Sequence, residues 1–173
     1  LSSDSKLQHG HNTHACLFDE LHVQRDRTLF DTMLTSTGAR REPLMILLTT
    51  AGSSKTDGNI CFELHDYATK VRDKIIVDET FLPVLYGAGE DLDITKEATW
   101  KIANPCYNVS ISKEYFQQEA KRAIEVPSYE NTFRRLHLNQ WTTSETKWIS
   151  DNDWTQNDQT YDLKELEGCE CWG

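Results

Sequence analysis

A chain of 173 residues with 38% hydrophobic and 27% charged side chains is long enough for one domain with its own core, in the range of ordinary water-soluble folds. Its formal charge of -10 repels nucleic acid over the chain as a whole, so any DNA contact is restricted to a local patch or to residues outside this chain. No apolar run approaches the roughly 20 residues of a membrane-spanning helix, the first ten residues lack a secretory pattern, and five scattered cysteines fit free thiols in a reducing compartment better than a disulfide framework.

The first strand expected along the chain is Ala15-Cys16-Leu17-Phe18, an apolar run that ends in Asp19-Glu20. Asp26 can then cap a helix with Leu29, Phe30, Met33 and Leu34 on one face, and Gly38 can end it in a left-handed turn. Pro43 introduces Leu44 to Thr49, a continuous apolar strand of the kind buried on both faces of a parallel sheet. Strand, helix and strand in this order predict an α/β fold with a crossover connection. The loop from Thr50 to Ser54 leads to a helix from about Asn59 to Lys74, with Ile60, Leu64, Tyr67, Ala68 and Val71 facing inward, and then to a strand from Phe81 to Tyr86.

From Gly87 the texture changes to short helices. One is expected around Thr95 to Ala103, stopped by Asn104-Pro105; a second begins near Ser112 and ends near Pro127; a third runs from Ser128 to Leu138 with Phe133 and Leu136 inward. The stretch from Thr142 to Gln159 is polar and is expected to be poorly structured. Residues 1–88 and 89–173 therefore read as two units, a sheet-containing one and a helical one.

Asp19 and Glu20 are the pair that points to chemistry. In nucleotide hydrolases of the P-loop class a short apolar strand delivers an Asp to the shell of Mg²⁺ and a following Glu to the attacking water. The metal prefers hard carboxylate or water oxygens in octahedral geometry, and the water needs an adjacent base. Four apolar residues and two acids are a weak signal alone. The next strand adds Thr49-Thr50-Ala51 at the same end of a parallel sheet, where small hydroxyls can sense a γ-phosphate and ligands collect. Asp19 is thus the expected metal residue, acting through water, Glu20 the catalytic one, and the Thr49-Thr50-Ala51 segment the expected γ-phosphate sensor.

Other candidates admit two readings each. Arg40 and Arg41 fit a trans-acting arginine that stabilises phosphoryl charge, or a solvated loop beside Glu42. Arg134 and Arg135 fit contact with DNA phosphates or a partner, or the flanks of an amphipathic helix. His9, His11, His14 and Cys16 have a spacing that invites zinc, but Cys16 falls inside a strand. The five tryptophans read as core and interdomain anchors.

Taken together, these segments resemble the large subunit of the terminase of tailed bacteriophages. The similar stretches are Leu1 to Gly10 with His14-Ala15-Cys16-Leu17-Phe18-Asp19-Glu20-Leu21-His22, Thr37 to Leu44, Thr49-Thr50-Ala51-Gly52, Ala103-Asn104-Pro105, and Glu130 to Trp141. The resemblance implies an incomplete P-loop NTPase of the ASCE type: residues 1–88 as the second half of the ATPase sheet, and residues 89–173 as a mostly helical linker leading to a nuclease domain beyond the chain.

It also implies ATP and Mg²⁺ as cofactors, with Thr49, Thr50 and Ala51 as the ATP-coupling segment, and double-stranded DNA, a portal protein, a small terminase subunit and a homo-oligomeric ring as partners, with no membrane. The implied setting is the host cytoplasm, transiently at the procapsid portal. No Gly-x-x-x-x-Gly-Lys-Ser/Thr phosphate loop occurs, so a fragment inactive on its own is expected, with apolar strand edges left bare. Competing readings are a DEAD/DEAH-type helicase fragment and a catalytically inactive assembly or binding module.

Overall fold

The structure, a computed structural model, describes residues 10–24, 26–53, 59–143 and 151–156. The first segment of the resemblance up to His9, and Cys169, Cys171, Trp148 and Trp172, lie outside the described residues.

Strand β1 (Ala15–Asp19) pairs in parallel with β2 (Leu44–Leu48), in a register that sets Leu17 against Ile46 and Asp19 against Leu48. Helix α1 (Thr28–Thr35) makes the crossover. Asp26 does support its start, accepting the Thr28 N–H at 2.8 Å, and the Thr28 hydroxyl together with this N–H holds the Asp26 carboxyl below its ordinary range. Gly38 takes no left-handed turn. The helix is ended instead by hydroxyls that bond back to its last carbonyls, Ser36 to Met33 and Thr37 to Leu34, both at 2.7 Å.

Helix α2 (Ile60–Arg72) starts at Asn59, whose side chain accepts the N–H groups of Cys61 and Phe62. Alternation along the sheet puts Cys16, Phe18, Met45 and Leu47 on the face that packs with Phe30 and Met33 of α1 and Ile60 and Cys61 of α2. The opposite face is bare: Leu17, Leu44, Ile46 and Leu48 are each 42% exposed or more. The expectation of a strand buried on both faces is therefore corrected, since the described helices belong to one face only. The described sheet has two strands. No strand forms at Phe81–Tyr86, where Pro83 lacks an N–H for a ladder; Phe81 packs edge-on against Tyr67 of α2 and Leu82 stays exposed.

The helical half comprises α3 (Glu97–Ala103), α4 (Lys113–Glu125) and α5 (Pro127–Leu138). Ser112 caps α4 by accepting the Tyr115 N–H, and Pro127, expected only to stop α4, also opens α5 from its first position, where no N–H is needed. Trp100, Tyr107, Phe116, Phe133 and Leu138 form its core, with the Trp100 and Phe116 rings stacked at 5.6 Å. Leu136 points outward, against expectation, and Leu138 fills the core instead. Burial lowers the His137 pKa there. The tail expected to be poorly structured contains helix α6 (Asp151–Gln156), which carries an exposed Trp154, so of the described tryptophans only Trp100 and Trp141 are core residues.

One short segment joins the two cores. Helix α5 ends at Asn139 in the left-handed region (φ 51°), which Asn tolerates better than most residues. Trp141 then lies against Gly52, Phe62 and His65 of the first core.

The bare sheet face generates a direct expectation. Leu17→Thr with Ile46→Thr should lower the light scattering of the isolated chain at equal concentration while leaving its far-ultraviolet circular dichroism unchanged. Scattering equal to that of the parent chain would show that this face does not drive association.

Candidate functional site

The parallel register delivers both strand tips to one end of the sheet, with Asp19 beside Leu48 and Thr49-Thr50 immediately after. Chain direction changes sharply at Glu20, whose φ of 54° and ψ of 47° lie in the left-handed region. For a glutamate this conformation costs on the order of 1–3 kcal/mol, and such strain gathers where side chains must be aimed. Two contacts hold it: Asp19 Oδ1 accepts the Glu20 N–H at 2.9 Å, and the Glu20 carbonyl accepts the Val23 N–H in the 3₁₀ turn Leu21–Val23. Burial of Leu21 fixes that turn, leaving the Glu20 carboxyl largely exposed at the tip.

His22 connects the two tips. Its backbone N–H donates to Thr49 Oγ1 at 3.0 Å, and its ring Nδ1 lies 3.1 Å from the same hydroxyl, 3.4 Å from Thr50 Oγ1 and 3.5 Å from Glu20 Oε2. The Thr49 Oγ1 also lies 3.1 Å from the Thr50 carbonyl, and whether it or Nδ1 donates in their contact is set by the ring tautomer. Nδ1 thus faces two hydroxyls and a carboxylate. Thr49 also contacts the buried Cys61 thiol at 3.6 Å, a group whose pKa is pushed up by burial.

Of the residues singled out from sequence, Asp19, Glu20, Thr49 and Thr50 come together, and Ala51 lies buried just behind them. Arg40 sits elsewhere, donating to the Asn12 carbonyl at 2.9 Å, and Arg41 is exposed on the same loop. Arg134 is held inside the helical half by Glu130 at 2.8 Å and Gln140 at 3.0 Å, and the Arg135 Nε is buried without a hydrogen bond. No group of three or more His, Cys, Asp or Glu residues suited to a metal ion occurs among the described residues. On sequence alone His22 reads equally as orienting Glu20 or as packing behind the strand, and Asn139 carries no assigned role, although an Asn directly after the last apolar residue of a helix is a recognisable end signal.

The family model described as "Terminase large subunit, endonuclease domain" matches residues 75–172. The chain belongs to the terminase large-subunit family. Within the Enterobacteria phage HK97 "Terminase, large subunit" the similarity is 32% identity over 156 residues, covering 89% of this chain and 30% of that protein. With "Protein YmfN" of Escherichia coli (strain K12) it is 29% over 163 residues, 94% of this chain and 35% of the relative. The crystal structure of the HK97 bacteriophage large terminase superposes with a TM-score of 0.68 at 31% identity, covering 82% of this chain and 28% of that one. The chain thus spans about a third of the length of these curated relatives. The matched stretch takes in nearly all of residues 89–173, so the expectation of a nuclease domain lying wholly beyond the chain is corrected.

The His22 ring can be tested by substitution. His22→Leu keeps the backbone bond to Thr49 and loses the ring contacts, so urea unfolding should register a loss of about 1 kcal/mol. His22→Asn, whose side-chain amide reaches a position near that of Nδ1, should lose less; equal losses would reduce the ring to a packing element.

Proposed function

We propose that this chain is part of a terminase large subunit whose complete form hydrolyses ATP to move double-stranded viral DNA into a procapsid and cuts that DNA with its endonuclease domain. Family membership supports the packaging role. Support for ATP comes from a single arrangement: the Asp19-Glu20 tip and the Thr49-Thr50 tip lie side by side, joined through His22.

In this reading Asp19 would hold Mg²⁺ through water, and the set is chemically suitable, because Mg²⁺ is ordinarily bound by one or two carboxylates with phosphate and water oxygens supplying the rest. When bound, the ion neutralises charge on the phosphates. Glu20, exposed at the tip and aimed by its left-handed backbone, accepts a proton from the attacking water. Thr50 faces the phosphate end, and a change there passes to Thr49 and His22. Arg40 or Arg41, on an exposed loop, serves a neighbouring subunit of a ring; a portal protein and a small subunit complete the assembly in the host cytoplasm. Because the sequence contains no phosphate loop, turnover belongs to the complete polypeptide and not to these residues alone.

In the complete polypeptide, Glu20→Gln should leave ATP binding little changed and lower kcat by roughly 100-fold or more. The check is steady-state ATPase kinetics beside equilibrium binding of an ATP analogue. Parallel loss of binding and turnover, or wild-type turnover, would overturn the assignment of Glu20.

A further inference from the structure

Asn139 makes the connection between the two halves specific. Its Oδ1 accepts the N–H of Ala51 at 2.6 Å, and its Nδ2 donates to the carbonyl of Tyr86 at 2.6 Å, so one side-chain amide bridges three distant segments of chain. Ala51 directly follows the Thr49-Thr50 pair and is 3% exposed. Next to it the Trp141 ring lies so close to Gly52 that an added Cβ would meet it at 3.0 Å. Asn139, Tyr86 and Trp141 fall within residues 75–172, the endonuclease stretch, whereas Ala51 and Gly52 fall outside it.

We infer that Asn139 is a positioning residue that sets the Thr49–Gly52 loop against the endonuclease stretch, so that a displacement of the loop at the strand tips is transmitted to the end of α5. The transmission rests on the reading above, in which this loop meets a nucleotide; the strut itself does not. Its chemistry is selective. Glycine would keep the left-handed backbone at 139 and lose both bonds, whereas aspartate would still accept from Ala51 but would set a carboxylate against the Tyr86 carbonyl. From Leu138 and Gln140 the connection continues within the helical half: the Leu138 carbonyl accepts the Ala88 N–H at 2.9 Å, and the Gln140 amide donates to the Gly89 carbonyl at 2.6 Å. A shift at Ala51 therefore reaches residues 86–89 and the last turn of α5 together.

Hydrogen exchange on the complete polypeptide, with and without Mg²⁺ and a non-hydrolysable ATP analogue, tests this. Without nucleotide, Asn139→Gly should speed exchange of the Ala51 amide about tenfold, and Asn139→Asp should leave it protected. In the wild type, the analogue should change exchange both at 49–52 and at 86–89; in Asn139→Gly only the first response should remain, whereas Asn139→Asp, which keeps the Ala51 bond, should keep the response at Ala88. Unchanged Ala51 exchange in Asn139→Gly would overturn the strut, and a persisting response at 86–89 in Asn139→Gly would overturn its role as carrier. If the analogue changes nothing in the wild type, the nucleotide reading fails instead, and the nucleotide-free Ala51 exchange still decides the strut.

Discussion

Parallel pairing of two five-residue strands is the constraint on which the rest of this molecule depends. An antiparallel hairpin of the same segments would send Asp19 and Thr49 to opposite ends. The crossover through α1, closed by burial of Phe30 and Met33 under Phe18, brings them to one end. Once the tips are adjacent, the 3₁₀ turn anchored by Leu21 presents His22 to the threonines and turns Glu20 outward. Hydrophobic burial thus determines the polar geometry, and the left-handed strain at Glu20 is a small cost beside the core that imposes it.

The two cores depend on one joint of modest size. Truncation of a buried tryptophan such as Trp141 typically costs about 3–5 kcal/mol, against about 1 kcal/mol for each Asn139 hydrogen bond. Trp141 therefore supplies most of the adhesion, while Asn139 supplies direction, since its amide must offer an acceptor to one segment and a donor to another. That division suits a part that must stay attached while its setting changes.

Much of this was legible in the sequence, for reasons that can be named. The strands announced themselves as apolar runs, Asn59 and Ser112 as caps, and the acids and threonines as strand ends that a parallel crossover must bring together. What sequence could not supply was the partner of each face. Leu44 to Leu48 reads as a doubly buried strand because all five side chains are apolar, yet burial is decided by what packs on each side. Phe81 to Tyr86 has strand composition, but Pro83 and the lack of a paired edge leave it unladdered. Leu136 and Leu138 differ only in helical phase, and Asn139 joins segments 88 residues apart, a relation no local pattern encodes.

Membership in the terminase large-subunit family gives these features a setting: a strand-tip cluster on one side, a helical body matched by the endonuclease model on the other, and the Asn139–Trp141 segment between them. The most direct test of the central claim is a crystal structure of the complete polypeptide with Mg²⁺ and a non-hydrolysable ATP analogue. The account places the ion's water shell beside Asp19 and the terminal phosphate between Glu20 and Thr50. A nucleotide bound away from both strand tips would contradict it.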